Sequence, residues 1–140
     1  MVCTGNICRS PLAEFALAGR RPDLTVRSAG LHALVGRDMD PDSATAARAL
    51  GVDVRPHSAR QFDSRIGADA DLILVMEKHH RDEIMQRWPQ YVGKTFLLGQ
   101  FTDGKGIPDP YRMGQAMHFR AAELIGEAVE TWSAQIEAAP

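Results

Sequence analysis

Residues Cys3-Thr4-Gly5-Asn6-Ile7-Cys8-Arg9-Ser10-Pro11 decide how this chain is read. Pro11 suits a first helical position, and the apolar-rich run from Leu12 to Ala18 ends at Gly19, a natural helix stop. The residues before Pro11 then form a loop that feeds a helix N-terminus. Gly5 and Asn6 tolerate left-handed backbone angles and can curl that loop until successive N–H groups converge on one point. Such a concavity, with a helix dipole behind it, favours a dianionic phosphoryl group and, for the same electrostatic reason, a thiolate at Cys3. A closed loop places Arg9 across the anion from Cys3, where its planar fork can hold two phosphoryl oxygens. Ser10 can donate a hydrogen bond to the sulfur, steadying the thiolate and easing its later departure from phosphorus. The stretch therefore implies attack on a phosphate ester, with Cys3 and Arg9 as catalytic groups and Thr4, Gly5, Asn6, Ile7, Cys8 and Ser10 completing a phosphate-binding loop. A cysteine by itself is more often a small buried hydrophobe. The Gly-Asn pair inside the pattern, and Pro with a helix behind it, favour the phosphate loop.

Beyond the loop, strands and helices alternate. Met1-Val2 precedes the loop, Leu24–Ser28 alternates apolar and polar side chains as a short strand does, and Ala29-Gly30 closes it. Pro41-Asp42-Ser43 opens a helix that runs to Leu50 and ends at Gly51, with Asp42 or Ser43 as its cap. Asp71–Met76 reads as a strand buried on both faces, Glu77–Trp88 as a polar helix stopped by Pro89, and Thr95–Leu98 as a last strand. Adjacent residues on a helix point apart, so His79 and His80 are expected on a solvated surface. From Ala116 to Ile136 apolar residues recur at helical spacing, which is core packing. The pattern predicts an α/β domain over residues 1–140: a doubly wound, four-stranded parallel sheet flanked by helices, with the phosphate-binding loop at the first strand–helix junction. Ile107-Pro108-Asp109-Pro110-Tyr111 is a second element, stiffened by two prolines before the last helix. Asp-Pro is also a common turn pair, and Tyr111 reads either as a cleft wall for an aromatic leaving group or as a packing residue.

With 44% hydrophobic and 24% charged residues the composition is that of a globular protein. A net charge of −2 provides no overall basic field for nucleic acid or an anionic membrane surface. No apolar run reaches the length of a membrane span and no signal segment opens the sequence, so a cytoplasmic protein is expected, with no membrane insertion. The two cysteines do not make half of a metal site with any second pair, and no metal or other cofactor is implied. Cys8 is a bystander or a resolving partner that would join Cys3 under oxidants and protect it.

The loop CTGNICRSP resembles the signature of the low-molecular-weight protein tyrosine phosphatases, and the resemblance covers essentially the whole chain. SAGLHALVGRDMDP, HSARQ, DLILVMEK and IPDPYR are similar in order and spacing to the bacterial Wzb-type branch, which is associated with capsule and exopolysaccharide production. The resemblance implies a monomeric, metal-independent enzyme that hydrolyses phosphotyrosine through a phosphocysteine on Cys3. Asp109 is then the general acid that protonates the leaving oxygen and later takes a proton from water. It further implies that Ser28 buttresses Asn6, that His57 supports the loop through Asn6, and that Leu34, within the His32–Arg37 segment, and Tyr111 line the substrate cleft. From the residues alone, Ser28 reads equally as a strand-end serine and His57 as a surface or core residue. The implied partner is a phosphotyrosine protein, the tyrosine-rich tail of a bacterial tyrosine kinase of polysaccharide export. Relatives carry several apolar residues before the nucleophile, so the resemblance implies either a native start further upstream or a first strand that is nearly absent. Some relatives also carry a tryptophan in the cleft-wall loop that this chain lacks. A protein arginine phosphatase is the alternative, though its loop typically has Thr where this chain has Ile7. An arsenate reductase needs a later redox cysteine, and none follows Cys8. A non-catalytic phosphotyrosine-binding module would lack the nucleophile or the acid, and both are present.

Overall fold

The computed structural model describes residues 1–137 and begins on the strand that delivers Cys3. This strand, β1 (Val2–Cys3), lies between β2 (Ala29–Gly30) and β3 (Ile73–Val75), and β4 (Thr95–Leu97) flanks β3 on its other side. Every pairing is parallel, and the strand order is β2-β1-β3-β4. The chain moves to one side of β1 to make β2 and crosses to the other to make β3. The crevice beyond β1 is thus a topological switch point, where open α/β sheets bind ligands. β1 is two residues long but keeps both neighbours: Val2 is in register with Ala29 and Val75, and Cys3 with Gly30.

The alternation of side chains across the sheet builds two cores. Leu74 and Met76 face α1 (Arg9–Arg20), α2 (Pro41–Ala49) and α5 (Gln115–Gln135), where Leu12, Phe15, Ile125 and Trp132 join them. Ile73 and Val75 face the other way and pack with Val2 and Phe62, with Ile84 of α4 (Lys78–Arg87), and with Tyr91 of a 3₁₀ turn over Pro89–Lys94. Because both faces are covered, β3 reads as an unbroken apolar run in the sequence. Among the described residues no helix is long and apolar enough to cross a membrane.

Several local expectations need correction. Leu24–Ser28 is not a strand. Leu24 and Val26 are half-buried against the core, which produces the alternation, but ladder bonds begin only at Ala29 and Gly30. Helix α1 starts at Arg9 and continues through Gly19 to Arg20, because no positive-φ turn forms at that glycine. The cap of α2 is Asp40, whose side chain accepts from the N–H groups of Asp42 and Ser43. With Pro41 at the first helical position, the capping position falls on the residue before it. The short α3 (Ser64–Asp69), capped by Asp63, was not anticipated.

His80 departs furthest from expectation. It is 1% exposed, and its ring centroid lies 4.1 Å from that of His79. Both sit in the first turn of α4, where His80 folds back into a capping box with Glu77 and His79 swings to the Glu77 carboxylate, so the ordinary divergence of neighbouring side chains is overridden.

Candidate active site

Carbonyl oxygens of the loop after β1 point outward and are bonded. Thr4 O accepts from His32 N, Gly5 O from Leu34 N and Ile7 O from Asp40 N, at 2.8–3.0 Å. Among the described residues, the N–H groups of Gly5 through Arg9 donate to no protein acceptor. A loop that commits its carbonyls outward and leaves its N–H groups free is an anion nest, and α1 continues directly from it. Asn6 makes the curl, with φ of 59°, a left-handed conformation that asparagine tolerates better than most residues. Gly30 permits the tight approach of β2: a Cβ there would collide with the Thr4 carbonyl and lie 3.1 Å from Asn6 N.

The direction of hydrogen bonding under the loop follows from groups that have only one role. Arg60 N can only donate, and it donates to Asn6 Oδ1 at 2.9 Å. Asn6 Nδ2 therefore donates to Ser10 Oγ at 2.8 Å and to Ser28 Oγ at 2.9 Å. The Ser28 hydroxyl in turn donates to Glu14 Oε1. The Ser10 hydroxyl, its acceptor side taken by Asn6, turns its proton to Cys3 Sγ, 2.9 Å away. On the opposite side of Asn6, His57 Nε2 donates to the Asn6 carbonyl at 2.7 Å. The residues singled out as supports, Ser28 and His57, thus converge on Asn6 from two sides.

Arg9 is 2% exposed. Its Nη1 donates to Glu77 Oε2 at 2.6 Å and to the Ile107 carbonyl at 2.7 Å, and its Nη2 lies 3.7 Å from Asp109 Oδ2. Burial alone would raise the Glu77 pKa. The bonds from Arg9 and His79 outweigh burial and hold the carboxyl below its ordinary range. Asp109 is 48% exposed, with its other carboxylate oxygen accepting from Tyr111 N at 3.1 Å. The loop, Arg9 and Asp109 enclose a cleft of about 200 Å³ whose wall includes His32, Leu34 and Tyr111.

Both cysteines are free and buried. Burial pushes the Cys8 thiol up to about 12, with a hydrogen bond from Ser43 opposing the shift, so Cys8 is protonated at neutral pH. Among the described residues two groups of ligand-capable side chains gather, Cys8 with Asp40 and His118, and Glu77 with His79 and His80. Each has hydrogen-bonded partners of its own: Asp40 caps α2, His118 Nδ1 pairs with Ser43 at 2.7 Å, and both His80 nitrogens are bonded.

Sequence reading missed Glu77, His80 and Glu14. Glu77 and His80 had a signal, since they follow the apolar β3 run at the C-terminal edge of the sheet and carry capping-box spacing. Glu14 looks like any polar residue on an amphipathic helix.

A phosphate-sized nest, a buried arginine and a serine-tethered thiol at the switch point of a parallel sheet define a phosphoryl-handling α/β protein. The sequence model of the low molecular weight phosphotyrosine protein phosphatases matches residues 1–139, and the chain belongs to this family of hydrolases. It is 41% identical over 136 residues to the low molecular weight protein-tyrosine-phosphatase Ptp of Acinetobacter johnsonii, covering 97% of this chain and 95% of the relative. The structure of Wzb from Escherichia coli K30 with sulphate superposes with a TM-score of 0.94 at 37% identity, covering 97% of this chain and 95% of that one. Wzb of Vibrio vulnificus with benzylphosphonate gives 0.93 at 42% identity, covering 96% and 95%. The YwlE arginine phosphatase of Geobacillus stearothermophilus is more distant, at 29% identity and a TM-score of 0.88 over 96% of this chain and 88% of its own.

Proposed function

We propose that the chain dephosphorylates phosphotyrosine in proteins through a phosphocysteine on Cys3. The Cys3 sulfur attacks phosphorus in line, and the free loop N–H groups together with Arg9 receive the charge on the equatorial oxygens. Asp109, at the cleft rim, gives its proton to the departing phenolate oxygen. It then takes one from the water that cleaves the S–P bond, releasing inorganic phosphate. Ser10 stabilises the thiolate as it leaves. The observation that carries this reading is the donation path from Arg60 N through Asn6 and Ser10, which ends on the Cys3 sulfur and gives that thiol a hydrogen-bond donor.

An aromatic ester fits the wall better than a guanidino one. Ile7 is buried, and with Leu34 and Tyr111 it presents apolar and aromatic surface beside the nest. The benzylphosphonate complex of Vibrio vulnificus Wzb pairs a phosphonate with an aromatic ring. By kinship with proteins named Wzb, we assign the chain to the cytoplasm and its substrate to the tyrosine-rich tail of a polysaccharide-export kinase.

The test is phosphate release from phosphotyrosine and phosphoarginine peptides, without added metal, by this chain and by Cys3→Ser. Release from phosphotyrosine alone, abolished in Cys3→Ser while phosphate binding persists, is the expected result. Preference for phosphoarginine would reverse the substrate assignment, and turnover surviving in Cys3→Ser would remove the nucleophile.

A further inference from the structure

We propose that the Thr4 hydroxyl is an additional side-chain donor to the bound phosphoryl group, and that His80 is the residue that aims it. The inference rests on the phosphatase reading of the cleft. Its origin is a hydrogen-bond chain that the mechanism above does not use. Glu77 N lies 3.1 Å from His80 Nδ1, and a backbone N–H can only donate, so Nδ1 is the acceptor and carries no hydrogen. The single ring hydrogen of a neutral imidazole is then on Nε2, which lies 2.8 Å from Thr4 Oγ1. Thr4 receives that hydrogen and cannot return its own to the ring. Burial, followed by the charge of Arg9, holds His80 down at about 3, so the ring stays in this neutral form throughout the working range.

The Thr4 proton has no acceptor among the described residues. Among the described residues His80 is the only partner of Thr4 Oγ1. The Thr4 carbonyl accepts from His32 N at 3.0 Å, which holds the backbone, and the bond to His80 holds the side chain. Thr4 lines the cleft together with Cys3 and Arg9. An anion seated there offers the missing acceptor, and a hydroxyl that already accepts from His80 is polarised to donate more strongly. Glu77 organises both arms of this arrangement: its N–H fixes the His80 tautomer, and its carboxylate holds Arg9. The first turn of α4 therefore positions two side-chain donors that line the cleft.

The measurements are calorimetric binding of inorganic phosphate and kcat/KM for para-nitrophenyl phosphate, on Thr4→Val, Thr4→Ser, His80→Leu and the double variant Thr4→Val with His80→Leu. A hydrogen bond to a charged group corresponds to roughly a ten- to hundredfold change, so Thr4→Val should weaken phosphate binding and lower kcat/KM by that factor. Thr4→Ser, which keeps the hydroxyl, should stay close to the unsubstituted chain. His80→Leu should weaken binding in the Thr4 background but add nothing once Thr4 is Val. Thr4→Val binding phosphate like the parent would overturn the donor. An equal His80→Leu penalty in both backgrounds would overturn the positioning role and leave His80 as a helix cap. If His80→Leu does not fold, the Thr4→Val and Thr4→Ser pair decides the donor alone. The phosphatase reading fails separately: the unsubstituted chain would then bind phosphate without turning over the ester, and the binding comparison among variants would still judge Thr4.

Discussion

Asn6 on the floor of the cleft and Asp109 on its rim are polar residues held in opposite ways. Asn6 is completely buried, and its side-chain oxygen, its side-chain nitrogen and its carbonyl are all paired, with Arg60, Ser10, Ser28 and His57. Asp109 is nearly half exposed and rests on one bond from its own loop and a loose approach to Arg9. Next to it Arg112 adopts a left-handed backbone, and Met113 lies open to solvent. The contrast fits the work that the proposed mechanism gives each region. Donors that stabilise transition-state charge act best when folding has already fixed them, so that nothing reorganises during the reaction. A group that gives up a proton and later recovers one must exchange partners, and a fully satisfied, buried carboxylate could not.

Substituting the rim should therefore cost activity and leave stability alone. Asp109→Asn keeps the shape of the loop and removes the exchangeable proton. It should lower turnover of phenyl phosphate roughly a thousandfold and of para-nitrophenyl phosphate far less, since a good leaving group needs little protonation. Its unfolding free energy from urea titration should stay within about 0.5 kcal/mol of the parent. Equal slowing across a series of leaving groups would remove Asp109 as the acid. The floor should lose both properties. Asn6→Gly tolerates the positive φ but takes one incoming hydrogen bond from each of Ser10 and Ser28 and removes the acceptor of the Arg60 N–H, so it should cost about 2–4 kcal/mol of stability and about a hundredfold in kcat. Normal stability with lost activity in that variant would break the contrast between floor and rim.

How much of this was legible follows from how local each cause is. The nest could be read in the sequence because its elements are contiguous: Gly5 and Asn6 for the curl, Arg9 and Ser10 at the helix entrance. The strand of β3 could be read because burial on both faces leaves a solid apolar run. The role of Asp109 and the support from Ser28 and His57 were implied only by the family resemblance, because residues so far apart in the chain carry no mutual signal. Leu24–Ser28 misled because alternate burial against the core imitates a strand, and ladder bonds leave no mark on side chains. His80 misled because helical geometry describes residues inside a helix, whereas a capping box bends its first turn back on itself.

Glu77 joins the two regions, since it is partly exposed yet holds the buried Arg9, and it gives the smallest and most pH-specific effect. In Glu77→Gln the Ile107 carbonyl still fixes one arm of Arg9, so kcat/KM should fall only about tenfold, the scale of one charge-assisted bond. The stability change should depend on pH in a definite direction. The Glu77 carboxyl in the folded protein lies below its ordinary value, so between the folded pKa and the unfolded one, about 4.3, the unfolded chain binds more protons. The Arg9–Glu77 pair thus contributes fully above that unfolded value and is lost as pH falls through the folded pKa. Urea titrations at pH 7 and at successive steps down to pH 3 should show the parent more stable than Glu77→Gln at neutrality and the gap closing in acid. A gap that stays constant over that range would mean that the carboxylate acts on Arg9 through shape and not through charge, and the rim and floor would then be coupled by packing alone.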